Sequence, residues 1–104
     1  MSQLVMDRPV RSSKSADPDF GELIEMFVGE SSVRATQMQT LFARGDFEQL
    51  QRMAHQLRGS GAGYGFELLS DLATSLESAC ENGDPCDIAE TLHDTVGYLI
   101  RMEC

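Results

Sequence analysis

Ala54-His55-Gln56-Leu57-Arg58-Gly59-Ser60 lies inside the run that decides the fold, in which Phe47, Leu50, Ala54, Leu57, Gly61 and Tyr64 recur at alternating spacings of three and four. Such a recurrence marks an amphipathic helix that turns one apolar stripe toward a core. Each helical residue advances by about 100°, which sets His55 about 130° from the middle of the stripe and facing water. Residues three and four apart are neighbours on a helix surface. Gln51, Arg58 and Gly59 therefore surround the ring, with Arg52 and Ala62 a little further out.

Glycine crowds the end of this helix, at positions 59, 61, 63 and 65. A glycine inside a helix costs about 1 kcal/mol relative to alanine, so something offsets the cost or the helix stops here. The expectation is that Gly59 leaves room for a docking partner, Gly61 lets another helix pack closely, and Gly63 and Gly65 end the helix. Taken singly, each residue at the centre of the run has a plain reading: His55 a solvated side chain, Arg58 a surface charge, Gly59 a helix end. Together they are more telling. Neutral imidazole is nucleophilic and a guanidinium holds phosphate oxygens through charge-assisted hydrogen bonds, so the trio suits a surface nucleophile that carries phosphate.

Working outward, residues 1–16 mix Ser, Arg, Lys and Pro without sustained periodicity and read as a short, partly irregular lead, extended or with one short helical turn. Asp17-Pro18 reads as a helix N-cap followed by proline at the first helical position. Phe20, Leu23, Ile24, Phe27, Val28, Ala35, Met38, Leu41 and Phe42 then predict one long amphipathic helix ending near Gly45. Asp46 and Gln49 form a capping-box pair that opens the His55 helix. Beyond Gly65, the residues Leu69, Leu72, Ala73, Leu76 and Cys80 mark a third helix, stopped by Asn82-Gly83. Asp84-Pro85 repeats the cap-and-proline start, and Ile88, Leu92, Val96, Leu99 and Ile100 form the last stripe. Four helices with short connections predict an all-α antiparallel four-helix bundle over residues 17–104. No run alternates with the period of a strand, and there is no internal repeat.

A chain of 104 residues with 41% hydrophobic content makes one domain and little more. Its formal charge of -9 and pI near 4.4 argue against nucleic acid and anionic membranes as partners. Arg44, Arg52 and Arg58 nonetheless gather around the His55 segment, which predicts a locally different field suited to an acidic partner site. The remaining acidic side chains read as solubilising faces rather than as paired catalytic acids. Cys80, Cys86 and Cys104 are odd in number and lack metal-ligand spacing, so they read as reduced thiols. His93, among polar residues of the last helix, reads as solvated. A run of signal-peptide length is missing, as is any stretch of about 18 apolar residues, which makes the cytoplasm the expected compartment. Gly59–Gly65 is not a nucleotide phosphate loop, because a helix rather than a strand precedes it and the loop lysine is missing.

The residues His55-Gln56-Leu57-Arg58-Gly59-Ser60, followed by Gly65, Leu69-Ser70-Asp71-Leu72-Ala73 and Leu76-Glu77, resemble the histidine-containing phosphotransfer (HPt) family of two-component phosphorelays. The family pattern runs approximately His-x-Leu-Lys-Gly-Ser/Ala, a stretch of small residues, a Gly, then Leu-x-x-x-Ala/Cys-x-x-Leu-Glu. Likeness extends from about Asp17 to the C-terminus, with one departure, Arg58 in place of the commoner lysine. Positive charge survives, but a planar fork replaces a point charge.

The resemblance implies a phosphocarrier without ATP-dependent kinase activity. His55 would take a phosphoryl group on Nε2 from a sensor kinase or a receiver-domain aspartate and pass it to another receiver aspartate. It implies stabilisation of phosphate by Arg58, partner access over Gly59 and orientation of the ring by Gln51 or a water, with Glu48, Arg52 and Ala62 contacting the partner. No cofactor is expected in this chain, and magnesium is expected in the partner receiver domain. Receiver domains and a sensor or hybrid histidine kinase are the expected partners of a monomer. Two other readings compete: a receiver-binding module that is not phosphorylated, and the dimerisation segment of a histidine kinase. Gln56 stands where such kinases usually carry an acidic residue.

Overall fold

The computed structural model describes residues 9–15 and 17–103. Among them are five helices and a two-stranded parallel pairing: β1 (Val10–Arg11), α1 (Gly21–Gly29), α2 (Ser31–Ala43), α3 (Phe47–Gly63), α4 (Glu67–Asn82), α5 (Pro85–Arg101) and β2 (Met102–Glu103). Helix α3 packs on α4, α4 on α5, α5 on α2 and α2 on α3, closing a ring of four helices. Connections of two or three residues between them leave no length for a crossover, so neighbours run antiparallel. The molecule is an all-α four-helix bundle, as the apolar stripes predict.

The caps explain where these helices begin and stop. Asp46 accepts from the Gln49 amide at 3.2 Å to open α3, and Asp84 accepts from the Cys86 amide at 2.9 Å with Pro85 at the first helical position of α5. Gly83, at φ +76°, ends α4 in the left-handed region that glycine occupies without strain.

Two boundaries differ from the sequence reading. The single long helix expected up to Gly45 is broken at Glu30, whose amide bonds back to the Phe27 and Val28 carbonyls. Gly29, Ser31 and Ser32 are weak helix formers, and the Ser31 hydroxyl takes the Val28 carbonyl at 2.8 Å, competing with the backbone ladder. Asp17 accepts from the Asp19 amide at 3.0 Å and so caps a turn, while α1 starts later, at Gly21. The lead also contains a strand that no periodicity foretold. Two residues are too few to alternate, and Val10 and Arg11 pair with Met102 and Glu103 only because the fold brings them together.

Leu50, Ala54 and Leu57 of α3 meet Leu69, Ala73 and Leu76 of α4, Ile88, Leu92 and Leu99 of α5, and Ala35 and Met38 of α2 in one buried cluster. Ile24 and Phe27 of α1 close its end. There Phe27 stacks against Tyr64 at 4.8 Å and Phe66 at 5.9 Å, and Tyr98 meets the Phe66 ring edge-on at 6.4 Å. Burial pushes the Tyr98 phenol up to about 12. On α5, Ile100 points to solvent where an apolar stripe residue was expected, and Thr95 is buried in the stripe. Its hydroxyl returns to the Thr91 carbonyl at 2.8 Å, which lets a polar residue sit there at little cost. Gly61 is the close-packing point between α3 and α4. A Cβ there would lie 3.1 Å from the Ser70 amide nitrogen and 3.2 Å from the Phe66 carbonyl oxygen.

Candidate functional site

Stripe geometry places His55 outward on α3, and the structure leaves 60% of its side chain exposed. Nδ1 lies 2.9 Å from Oε2 of Glu77, on the facing helix α4. A carboxylate has only acceptors, so the proton of this bond belongs to Nδ1, and the Nε2 lone pair is left for chemistry. Glu77 keeps only 15% of its side chain exposed, wedged between the two helices.

Arg58, one turn beyond His55, bridges the same pair. Its Nη1 stands 3.2 Å from Glu77 Oε1, and Nη2 stands 3.3 Å from His55 Nδ1. The first approach is an ion pair out of line for a hydrogen bond, which leaves the buried Oε1 without a donor among the described residues. The second is a close approach only, because an Nδ1 that donates to Glu77 has no lone pair to accept with. Ser70 of α4 donates to the Arg58 carbonyl at 2.8 Å and fixes the backbone of α3 at this level.

Glu48, Gln51, Arg52, His55, Gln56 and Glu77 line an open depression of about 490 Å³ beside the ring. Gly59 lies one turn beyond His55 on α3, and a Cβ built there meets nothing within 4 Å. Ala62 is exposed two turns beyond His55 on the same face.

Three sequence expectations change here. Gln51 lines the depression, but Glu77 makes the bond that orients the ring. The acidic residues are not all solubilising, since Glu77 is one corner of the site. Finally, the expected excess of positive charge is largely cancelled: Arg52 faces Glu48 at 3.8 Å, Arg58 faces Glu77, and Arg44 belongs to the turn before α3 rather than to the depression. Glu77 had been visible only as part of the Leu76-Glu77 motif. Its partnership with His55 spans 22 residues and exists only once α3 and α4 are side by side. Elsewhere, Cys80 is a buried free thiol pushed up by burial, Cys86 is an exposed free thiol, and Cys104 lies outside the described residues. His93 is exposed on α5.

The imidazole of His55 is thus anchored at its inner nitrogen on the face of a helical bundle and open at its outer one. The family model of the Hpt domain matches residues 22–102, and the chain belongs to that family. Hpt domains are histidine phosphotransfer modules of phosphorelays, phosphocarriers rather than kinases, and they exchange phosphate with receiver domains and histidine kinases. No curated protein and no solved structure matches the chain. Among the described residues no helix is long and apolar enough to cross a membrane.

Proposed function

We propose that His55 is the phosphorylated residue and that Nε2 carries the phosphoryl group between a kinase or receiver aspartate and a second receiver aspartate. The observation that carries this reading is the Nδ1 to Glu77 bond of 2.9 Å on a ring otherwise open to solvent. It holds the imidazole in the tautomer whose lone pair points outward.

The Nε2 lone pair attacks phosphorus of an aspartyl phosphate. The Nε2–P bond forms as the P–O bond to the aspartate breaks, and the carboxylate departs with the electron pair. Nδ1 keeps its proton, so the ring becomes a cation, and the adjacent Glu77 carboxylate neutralises that charge. The return step delivers the phosphoryl group to the next aspartate and restores the neutral ring. Arg58 has enough N–H groups to hold Glu77 with one edge of its fork and phosphate oxygens with the other. Gly59 gives the receiver clearance to bring its aspartate in line, and Glu48, Gln51, Arg52 and Ala62 form the surround it meets. The divalent cation of receiver chemistry, magnesium, comes with the partner. The protein works in this reading as a cytoplasmic monomer.

Mixing the protein with a phosphorylated receiver or an active histidine kinase and following label tests the assignment. Transfer to the wild type and none to His55→Gln is the expected result, and unchanged transfer to His55→Gln overturns it. ATP alone leaves a carrier unlabelled, whereas it would label a kinase.

A further inference from the structure

The glycine-rich end of α3 poses a question that the phosphocarrier site does not answer. Gly59, Gly61, Gly63 and Gly65 give the last turns of the His55 helix little intrinsic reason to stay helical, yet the helix continues to Gly63. Its terminal carbonyls divide into two sets. Those of Ser60, Gly61 and Ala62 accept from the amides of Tyr64 (3.0 Å), Phe66 (2.7 Å) and Gly65 (3.2 Å) within the turn. Those of Gly63, Tyr64 and Gly65 are taken from outside the bundle by three consecutive residues of the lead. Lys14 Nζ donates to the Gly63 carbonyl at 3.1 Å, the Ser12 hydroxyl to the Tyr64 carbonyl, and the Ser13 amide to the Gly65 carbonyl at 2.8 Å.

The fit is mutual. Ser12 is only 4% exposed, and its oxygen also accepts from the Lys14 amide at 2.9 Å. Gly65 has φ +84°, and a Cβ there would come within 2.9 Å of the Lys14 nitrogen and 3.0 Å of the Ser13 hydroxyl. A side chain at position 65 would be strained and would also dislodge the lead. Beyond this contact, the Ser13 hydroxyl donates to Glu67 at 2.8 Å, and the Lys14 ammonium sits 4.7 Å above the Phe20 ring. At the other end, β1 pairs with β2 and Arg11 meets Glu103 at 2.8 Å. The lead residues that make these contacts all precede residue 22, where the family match begins.

We propose that residues 10–15 are a strap that holds the glycine-rich turn of the His55 helix, and that Ser12 and Lys14 are positioning residues for phosphoryl exchange, resting on the carrier reading of His55. The strap does not touch His55. It acts on Gly59–Gly65, the bare-backbone rim over which the receiver approaches, by supplying the donors that the turn cannot supply for itself.

The test compares the full chain with its Ser12→Ala/Lys14→Ala and Lys14→Arg variants. Three readouts are followed: amide hydrogen exchange by residue, transfer kinetics to the best receiver from a panel, and chemical labelling of His55 by phosphoramidate. In the double variant the amides of Tyr64, Gly65 and Phe66 are expected to exchange at least about tenfold faster, with those of Ile88–Leu99 unchanged, because only the local turn loses hydrogen bonds. KM for the receiver rises several-fold while kcat and phosphoramidate labelling hold, and Lys14→Arg, which keeps a cationic donor and the Ser12 hydroxyl, retains wild-type exchange and KM. Unchanged exchange at Tyr64–Phe66, or acceleration shared equally by α5, overturns the strap. Local loosening with an unchanged KM overturns the positioning role. Failure of phosphoramidate to label the wild type at His55 sinks the carrier reading instead, and the exchange data still judge the strap.

Discussion

At the scale of single residues, the chemistry of the site turns on Glu77 as much as on His55. In the proposed transfer the carboxylate fixes the proton on Nδ1 and faces the positive ring once phosphate is bound. A hydrogen bond to a charged group contributes about 1.5–3 kcal/mol, and about 1.4 kcal/mol is tenfold in rate. Glu77→Ala is therefore expected to slow phosphotransfer by roughly ten- to a hundredfold if most of that bond is realised in the transition state. Nitrogen chemical shifts of His55 should lose their preference for the Nδ1–H tautomer in the same variant, and retention of that preference would remove Glu77 from the mechanism. His55, Arg58 and Gly59 were legible as a group because helical spacing alone sets them on one face. Glu77 was not, because no local spacing connects it to the ring.

Within elements, two glycines of one helix serve opposite ends. Gly59 meets nothing where its Cβ would stand, whereas Gly61 would press on the Ser70 nitrogen and the Phe66 oxygen, both backbone atoms that cannot swing aside. Gly59→Ala is expected to stabilise the fold by about 0.5–1 kcal/mol through helix propensity. Gly61→Ala is expected to destabilise it by about 1–3 kcal/mol through overpacking. Urea unfolding of the two variants checks both signs. The close packing at Gly61 was legible in the sequence, since Gly61 falls on the apolar stripe and Gly59 off it. It did not foresee the break between α1 and α2. The apolar residues on either side of Glu30 keep a helical rhythm, and the competing hydrogen bond of Ser31 leaves no mark on that rhythm.

Across the whole molecule, the lead and the bundle are joined by interactions that depend on pH. Ser13 lowers the Glu67 carboxyl below its usual 4.5, chiefly through the hydroxyl hydrogen bond, aided by the residue's own backbone amide and by Lys14. A carboxyl whose value is depressed on folding adds stability that is complete above the unfolded value. That stability fades as pH falls through the lower, folded one. Denaturation midpoints measured from pH 7 down to pH 3 should thus fall along an acid limb that is flatter in Ser13→Ala than in the wild type. Equal limbs in the two proteins would show that the contact carries no linkage. The overall charge of -9 remains a property of the whole surface, but the neighbourhood of His55 is a set of matched pairs rather than a basic patch. Arg52, Arg58, Glu48 and Glu77 were all visible in the sequence, but their pairing was not read from it.

The sequence by itself determined the number of bundle helices, most of their caps, the outward face of His55 and the small residues beside it. Each of these follows from periodicity or from a hydrogen bond between residues near in the chain. Tertiary structure alone decided that Glu77 orients the ring and that Arg58 rests on Glu77. It also decided that residues 10–15 close over the glycine-rich end of α3. These are contacts between segments far apart in sequence, and they come into being only when packing of the apolar stripes fixes one helix against another.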